Sequence, residues 1–287
     1  MNYRHAFHAG NFADVLKHVV LSRVLVHLRE KAGAFRVVDT HAGAGLYDLS
    51  SNEATRGGEW QNGIGRLLDA TLPKQAAELL APYLDAIRAL NPPDRLRHYP
   101  GSPVLAQHFL RKQDRLIACE LEPNAASALR RSLRGDDRAK AIEIDGWTGL
   151  TAYIPPVERR GVVLIDPPFE EKGDYTRLAN ALDTARRKWA SGAYLLWYPI
   201  KGRPEPDALA KRIRRFAIPK VMRVELTVSP LSDPTRLNGC GLIVLNPPWK
   251  LADELAGLLP ILAGVLAPAG KGASRLDWLT AEAPATR

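Results

Sequence analysis

The feature that most constrains the fold of this chain is a regular alternation of short aliphatic runs with longer helix-like segments. Short aliphatic runs predict buried strands, and apolar positions at helical spacing predict helices. Their alternation is typical of an α/β protein with a doubly wound, Rossmann-like sheet. The predicted strands cover residues 35–39, 115–119, 140–144, 162–166, 193–197, 221–228 and 240–245, and the predicted helices cover 13–31, 123–134, 175–190, 207–216 and 251–266.

Two places depart from this alternation. The last strands lack a full helix between them, so they fit an antiparallel hairpin that closes the sheet. About 75 residues separate the first strand from the second, far more than one crossover helix needs. In this interval, residues 72–90 have helical spacing, and Ser102 could N-cap a helix through residue 111. We therefore expect one seven-stranded domain over residues 1–287, with a helical insertion at approximately 50–99.

Charge limits the kinds of partner that the chain fits. Its 40 Lys and Arg residues against 31 Asp and Glu give a net charge of +9, with a pI near 9.7. This charge favours a polyanionic partner, although a basic surface without a partner is the simpler interpretation. Aromatic residues make up only 7% of the chain and do not form the stacking motif of an RNA-recognition module.

Apolar runs, cysteines and histidines give expectations about location and metals. The chain contains no run of about 18 apolar residues, which disfavours a membrane span. The N-terminus lacks the apolar core of a secretory signal, so we expect a cytoplasmic protein. Cys119 and Cys240 lie inside predicted strands without CxxC spacing and are expected to be buried small hydrophobes. His5, His8 and His18 lack metal-ligand spacing, so we expect no metal.

The tetrapeptide at 166–169 has the pattern best suited to chemistry. The Asp166 carboxylate and the Pro167 carbonyl can both accept hydrogen bonds from an exocyclic amine, while Phe169 stacks on a planar ring. Two prolines after a buried strand can equally do no more than end it. A second tetrapeptide of the same form begins at Asn246. Neighbouring motifs must therefore decide between the two.

A glycine-containing turn follows the first predicted strand. It contains His41, Gly43 and Gly45. Glycines at such a turn allow the backbone to approach a nucleotide-like ligand closely. The full GxGxxG pattern is absent, and a tight turn that needs a positive φ explains the glycines as well.

An acidic residue follows each of the first four predicted strands, namely Asp39, Glu120, Asp145 and Asp166. Ligands of open α/β sheets bind at this edge, so we expect these side chains to line one rim. Glu120 can accept from both ribose hydroxyls, although a solvated strand end is equally common. An acidic rim repels a pyrophosphate and favours a nucleoside cofactor with a positive centre, such as S-adenosylmethionine. The rim also favours Asp166 over Asn246 as the chemical group.

Several segments together resemble the RlmJ family of bacterial methyltransferases. They are YRHAFHAGNFADVLKH at 3–18, DTHAGAG at 39–45, YPGSP at 99–103, LIDPPF at 164–169, WYP at 197–199 and NPPWK at 246–250. The family transfers a methyl group from S-adenosylmethionine to N6 of one adenine in 23S ribosomal RNA. The resemblance implies a class I methyltransferase sheet with a helical insertion, and a substrate of 23S rRNA free of most ribosomal proteins. We expect the enzyme to be a monomer.

The resemblance also implies roles for individual residues. The cofactor contacts that it implies are Lys17, His18, His41, Gly43, Ser102, Glu120, Asp145, Gly146 and Asp166. Catalysis would use Asp166, Pro167 and Phe169, while Tyr3 and His5 would lie near the RNA. The family often has Tyr where this chain has Phe169, so stacking is retained but any contribution of a hydroxyl is lost.

Other interpretations stay open. Ser102 can simply cap a helix, and Lys17 and His18 can form the polar face of theirs. The basic residues at 211–215 are candidates for phosphate contacts or for a solvated surface. Guanine-N2 rRNA and adenine-N6 DNA methyltransferases have similar motifs, so the motif alone fixes neither the base nor the sugar. A non-catalytic RNA-binding protein is the alternative from another class.

Overall fold

A computed structural model of the chain describes residues 4–93 and 95–281. Its centre is an eight-stranded sheet, beside which two short strands form a separate pair. The predicted α/β class is confirmed. The strands are β1 (Arg36–Asp39), β2 (Leu46–Asp48), β3 (His98–Pro100), β4 (Arg115–Glu120), β5 (Ala139–Glu143), β6 (Gly161–Ile165), β7 (Ala193–Ile200), β8 (Val221–Thr227), β9 (Gly239–Leu245) and β10 (Ala273–Thr280).

The helices of the described ranges alternate with these strands as the sequence predicts. Short 3₁₀ turns lie at His5–Phe7, Glu59–Asn62 and Pro268–Gly270. The α-helices are α1 (Phe12–Glu30), α2 (Asn52–Gly57), α3 (Ile64–Asp69), α4 (Lys74–Arg88), α5 (Ser102–Phe109), α6 (Pro123–Ser132), α7 (Gly146–Ala152), α8 (Asp174–Lys188), α9 (Pro204–Arg215) and α10 (Leu251–Leu266).

The strand order of the large sheet is β10-β8-β9-β7-β6-β1-β4-β5. Strands β5, β4, β1, β6 and β7 run parallel, whereas β9 runs antiparallel to both of its neighbours. From β1 the chain moves outward through β4 and β5, and then returns to β6 on the other side of β1. Such a reversal opens a ligand crevice at the carboxyl ends of the strands.

The prediction of seven strands was wrong by one, because β10 adds an edge strand to the sheet. A register shift between Trp278 and Thr280 interrupts its side-chain alternation. A bulged edge strand has neither the apolar run nor the strict alternation by which strands are recognised in a sequence. The antiparallel pairing of β8 with β9 is confirmed.

Apolar side chains pack in a layer on each face of the sheet. Successive residues of a strand point to opposite faces, so Val37 belongs to one layer and Val38 to the other. The layer that contains Val37 is covered by α1, α5, α6 and α10, and the other by α7, α8 and α9. Cys119 and Cys240 are buried and not disulfide-bonded, as predicted. None of the helices described is both long and apolar enough to span a membrane.

The long interval between β1 and β4 contains α2, α3, α4 and the antiparallel pair of β2 with β3. The helix predicted over 72–90 is confirmed as α4. The predicted N-cap is shifted by one residue, because Gly101 is the N-cap of α5 and Ser102 is its first helical residue. The Ser102 hydroxyl instead donates a hydrogen bond to Asp39.

Candidate active site and cofactor cleft

The four acidic residues lie along the carboxyl edge of the parallel strands. Asp39 and Glu120 end β1 and β4, Asp166 directly follows β6, and Asp145 is the N-cap of α7 after β5. These strands are parallel neighbours, so their carboxyl ends meet at one edge. The predicted acidic rim is therefore present.

Asn246 lies at the opposite edge of the sheet. Because β9 runs antiparallel to β7, its last residue, Leu245, pairs with Tyr194 near the beginning of β7. The Asn246 amide donates to the carbonyl oxygens of Ala190 and Gly192, both at 2.8 Å. This side chain closes a loop and lies at the edge remote from the acidic rim.

Lys17 joins Asp166 to a second carboxylate. Its Nζ lies 2.6 Å from Asp166 Oδ2 and 2.8 Å from Asp14 Oδ1. The other oxygen of Asp14 lies 2.9 Å from His5 Nε2 and accepts the Gly10 N–H at 2.9 Å. A continuous series of polar contacts thus connects the N-terminal segment to Asp166.

Charge pairing shifts the pKa values of Asp14 and Lys17 in the direction of the charged forms, in spite of burial. Burial raises the pKa of Asp14, but the charges of His5 and Lys17 outweigh it and hold that pKa well below its ordinary value. Burial lowers the pKa of Lys17, but Asp14 and Asp166 raise it well above the ordinary value. Lys17 and His18 are both buried, so their interpretation as a solvated polar face was wrong.

Asp39 is the most deeply buried carboxyl of the rim, with 1% of its surface exposed. Burial raises its pKa to about 7 and Asp166 adds to the rise, whereas a hydrogen bond from Ser102 and the charge of Lys17 oppose it. Its Oδ2 has no hydrogen-bond partner within the described residues. Asp39 can therefore accept a donor from a ligand.

Aromatic side chains surround the tetrapeptide that contains Asp166. The Phe169 ring packs edge-on against Tyr175, with centroids 4.9 Å apart, and against Trp197, at 5.8 Å. The φ of Phe169 is 54°, an uncommon value that re-aims its side chain. A cleft of about 300 Å³ opens beside this ring and is also lined by Pro199 and Lys201. Phe169, three residues after Asp166, thus gives this cleft an aromatic wall.

Glu120 anchors the glycine-containing turn after β1. Its carboxylate accepts the N–H of Gly43 and the N–H of Glu122, each at 2.8 Å. Gly43 has a φ of 61°, and a Cβ there would lie 2.4 Å from the Tyr47 hydroxyl oxygen. Both a positive φ and close packing therefore require glycine. Each carboxylate oxygen of Glu120 keeps a lone pair for a ligand.

His41 follows β1 and packs against α7. The His41 ring packs edge-on against Trp147, with centroids 5.1 Å apart, and its Nδ1 lies 2.8 Å from Thr40 Oγ1. Burial lowers the pKa of His41 to about 4, so the imidazole is neutral at pH 7. A Cβ on Gly146 would lie 2.1 Å from the Thr40 carbonyl oxygen. Only glycine allows α7 to approach so closely.

His18 lies in the interior of α1 and is fully buried. Its Nδ1 is 2.8 Å from the Tyr99 hydroxyl oxygen, and the two rings are stacked. Its Nε2 is buried without a hydrogen-bond partner in the described ranges. Burial lowers its pKa to about 3, so the ring is neutral. One ring nitrogen therefore remains for a ligand.

The N-terminal segment packs against the rest of the protein through two histidines. His5 contacts Asp14, and His8 Nδ1 lies 2.9 Å from Glu59 Oε1. Tyr3, the other residue expected near the RNA, lies outside the described residues. Among those described, no group of three His, Cys, Asp or Glu side chains is arranged to hold a metal ion.

Several residues of the site were not singled out from the sequence. Asp14 stands three residues before Lys17, a spacing that places both on one helix face and could have indicated the pair. The aromatic groups at Tyr83, Trp147 and Tyr175 come from separate elements. Their sequence context gives no sign of their positions: Tyr175 lines the cleft beside Phe169, Trp147 packs against His41, and Tyr83 contacts Tyr99.

Comparison with known proteins now identifies the family. A family model described as "Ribosomal RNA large subunit methyltransferase D, RlmJ" matches residues 32–280. The chain belongs to the RlmJ family. The family resemblance seen in its sequence motifs is therefore confirmed, and the chain is a methyltransferase.

Two RlmJ-family relatives match over nearly the whole chain. The ribosomal RNA large subunit methyltransferase J of Escherichia coli (strain K12) is 42% identical over 283 residues, covering 98% of this chain and 100% of the relative. The protein of the same name from Haemophilus influenzae is 41% identical over 285 residues, with coverage of 98% and 100%. The crystal structure of protein LPL1258 from Legionella pneumophila superposes with a TM-score of 0.85 at 33% identity, covering 94% of this chain and 98% of that one.

RlmJ-family membership makes S-adenosylmethionine the cofactor, and the residues at the acidic rim and on α1 fit this molecule on three counts. Glu120 offers carboxylate oxygens that suit ribose hydroxyls. The acidic rim suits a positively charged sulfonium. Asp39 and His18 each have a buried polar atom without a partner in the part of the chain described, and these atoms suit the polar groups of an amino acid.

Proposed function

We propose that this enzyme transfers a methyl group from S-adenosylmethionine to the N6 amine of an adenine in 23S ribosomal RNA. The observation that carries the proposal is the tetrapeptide at 166–169, where Lys17 lies 2.6 Å from Asp166 and the Phe169 ring packs against Tyr175. The relatives named ribosomal RNA large subunit methyltransferase J support the class of RNA. We treat residues 1–287 as one catalytic unit with a helical insertion at approximately 50–99.

The cofactor residues divide into two groups along the cleft. The adenosine part would contact Glu120, Gly43, His41, Asp145 and Gly146, which lie around the turn after β1 and the start of α7. The amino acid part would contact His18, Ser102 and Lys17, which lie on α1 and at the start of α5. When bound, S-adenosylmethionine supplies a methyl group activated by its sulfonium.

Asp166 and Pro167 prepare the nucleophile. The lone pair of an adenine amine is delocalised into the ring, so the free amine attacks poorly. Lys17 occupies Asp166 Oδ2, which leaves Oδ1 to accept one amine hydrogen while the Pro167 carbonyl accepts the other. These two bonds favour a pyramidal nitrogen and aim its lone pair along the direction of attack.

Proton removal completes the reaction. Methylation leaves a positive charge on N6, and the nitrogen then releases one proton. Asp166 stands within reach of that proton, and water can accept it as well, because the cationic product is acidic. Asp166 is required in either case, since it positions the amine before the transfer.

Phe169 holds the target base. The adenine must leave its stack to reach a carboxylate in a cleft, and an aromatic face compensates for part of the lost stacking. The contacts of Phe169 with Tyr175 and Trp197 keep its ring in place. Phe169 supplies this face without the hydroxyl that a tyrosine would add.

The partner we propose is 23S rRNA, bound by a monomer in the cytoplasm. The net charge of +9 supports a polyanion. His5 belongs to the segment that contacts Asp14 beside Lys17, and we assign it and Tyr3 to the RNA side of the cleft. Both residues would then lie close to the flipped base.

Labelled methyl transfer to transcribed 23S rRNA tests the function. The RNA is digested to nucleosides after reaction with S-adenosylmethionine that carries a tritiated methyl group. We expect the label in N6-methyladenosine. Label in N2-methylguanosine, or transfer to duplex DNA in preference to the RNA, would refute the proposal. Cofactor binding without any transfer would favour a non-catalytic RNA-binding protein.

A further inference from the structure

A buried row of three polar rings runs from the inserted segment to the cofactor cleft. It consists of Tyr83 on α4, Tyr99 on β3 and His18 on α1. The hydroxyl oxygens of Tyr83 and Tyr99 are 2.9 Å apart, and that of Tyr99 is 2.8 Å from His18 Nδ1. All three side chains are at most 1% exposed. Water therefore does not compete for these contacts.

Counting donors fixes the direction of the hydrogen bonds. Burial raises the pKa of both tyrosines, so each hydroxyl keeps its one hydrogen. Within residues 4–93 and 95–281, the Tyr83 hydroxyl has one hydrogen-bond partner, the Tyr99 oxygen. Tyr83 must donate to Tyr99, because the reverse direction would leave the Tyr83 hydrogen buried and unpaired. The Tyr99 hydrogen is then directed to His18 Nδ1.

The direction of this row decides the tautomer of His18. A neutral imidazole has one N–H, and the nitrogen that accepts a hydrogen bond cannot be the one that bears it. Since Nδ1 accepts from Tyr99, the hydrogen is on Nε2. This N–H is the buried group that has no partner in the described ranges. A buried donor in that state calls for an acceptor from a ligand.

We propose that Tyr83 and Tyr99 are positioning residues that fix the Nε2–H tautomer of His18, so that His18 donates to the carboxylate of the amino acid part of S-adenosylmethionine. This inference rests on the proposed function, in which His18 contacts the cofactor.

The amino acid end of the cofactor is the end that matches this donor. His18 follows Lys17 on α1, and Lys17 contacts Asp166 where the methyl group is transferred. The groups assigned to the adenosine, Glu120 and His41, lie around the turn after β1. The carboxylate is the strongest acceptor at the amino acid end, and an N–H donor to a charged acceptor contributes more than one to a neutral acceptor.

The row also gives the inserted segment a role in cofactor affinity. Tyr83 comes from α4 and Tyr99 from β3, and neither element belongs to the large sheet. Packing of α4 against α1 therefore sets the orientation of a group in the cleft. RNA contacts that shifted α4 would alter cofactor binding through the same hydrogen bonds.

Calorimetry with two ligands separates positioning from general stability. S-adenosylhomocysteine has the amino acid part, whereas 5′-methylthioadenosine lacks it. We expect Tyr99→Phe to weaken S-adenosylhomocysteine binding roughly tenfold, the effect of losing a hydrogen bond to a buried group. Tyr83→Phe should weaken it less, and neither variant should alter 5′-methylthioadenosine binding. The matched control is Tyr194→Phe, which removes a buried hydroxyl that donates to the Ala185 and Trp189 carbonyls.

Three outcomes would overturn the inference. One is unchanged S-adenosylhomocysteine affinity in Tyr99→Phe, and another is an equal loss for both ligands. The third is a ¹⁵N spectrum of histidine-labelled enzyme that places the His18 hydrogen on Nδ1. His18→Ala separates the role of the tyrosines from that of His18 itself. If it weakens S-adenosylhomocysteine binding but Tyr99→Phe does not, the tyrosines have no positioning role. If it has no effect, His18 is not a cofactor contact.

Discussion

The two Pro-Pro tetrapeptides of this chain have the same form and opposite surroundings. Asp166 follows a parallel strand and is held by Lys17, and Phe169 of the same tetrapeptide lines an aromatic cleft. Asn246 follows an antiparallel strand, and its amide donates to two main-chain carbonyls at the other edge of the sheet. Strand direction thus places the two motifs at opposite edges of the sheet, and a short motif becomes informative once the direction of its strand is known.

The largest effect should come from removing the Asp166 carboxylate. We expect Asp166→Ala to lower methyl transfer by roughly 10³-fold, because it removes an acceptor that orients the amine. Single-turnover transfer to 23S rRNA measures this loss, and circular dichroism checks that the variant is folded. Residual activity within tenfold of wild type would contradict a role for Asp166 in methyl transfer.

The next effect concerns the cofactor at the same edge. Glu120→Ala removes the carboxylate expected to accept from the ribose, and we expect binding of S-adenosylmethionine to weaken by roughly 1–3 kcal/mol. Calorimetry provides the measurement. Glu122→Ala is a control, since that side chain caps α6. Unchanged affinity in Glu120→Ala would show that Glu120 serves only to anchor the turn at Gly43.

The N-terminal segment is connected to Asp166 through Asp14 and Lys17. Deletion of residues 2–8 removes His5, a partner of Asp14 in the series that reaches Asp166. We expect at least roughly tenfold lower turnover, about 1.4 kcal/mol in barrier, with S-adenosylmethionine affinity nearly intact. Tyr3→Ala should act in the same direction. Equal turnover of the truncated and full-length enzymes at saturating cofactor would show that the segment has no role in methyl transfer.

A smaller effect is expected from the titration of Asp39. Its pKa is raised to about 7 by burial, so the carboxyl becomes charged as pH rises through 7. The charged form should attract the ammonium group of the cofactor, and S-adenosylhomocysteine should bind a few-fold more tightly at pH 8 than at pH 6. The same shift means that Asp39 stabilises the free fold less as pH rises from about 4 through 7. Asp39→Asn should flatten the pH dependence of S-adenosylhomocysteine binding. If the variant kept that dependence, Asp39 would not be its cause.

The smallest effect on activity should come from Asn246. Asn246→Ala removes two hydrogen bonds to main-chain carbonyls, and we expect it to lower the free energy of unfolding by about 1–3 kcal/mol with unchanged turnover. Urea denaturation and methyl transfer on one preparation provide both values. If Asn246→Ala kept its full stability but lost methyl transfer, Asn246 rather than Asp166 would be the chemical group.

The acidic rim at the carboxyl ends of the parallel strands can be predicted from the sequence, because local patterns indicate where each strand ends. Aliphatic runs that end in Asp39, Glu120 and Asp166 locate both the strands and their carboxyl ends, and the rule for parallel sheets then brings them together. The long interval before β4 similarly indicates an insertion. These inferences need only the order of elements along the chain.

The remainder depends on contacts between distant parts of the chain. Lys17 meets Asp166 across 149 positions, and Tyr83, Tyr99 and His18 meet from three separate elements. No local periodicity encodes such contacts, and a buried charged residue on α1 looks like a surface residue in the sequence alone. Strand β10 was not predicted for a different reason, because its bulge interrupts the alternation by which strands are recognised in a sequence.

The most direct test of the whole account is nucleoside analysis of 23S rRNA from cells that lack the gene. Such cells would be supplied with the wild-type gene, Asp166→Ala or Asn246→Ala, and their digested rRNA compared by mass spectrometry. The account predicts that N6-methyladenosine is reduced without the gene and restored by the wild type and by Asn246→Ala, but not by Asp166→Ala. Restoration by Asp166→Ala, or loss of a different modified nucleoside, would contradict it.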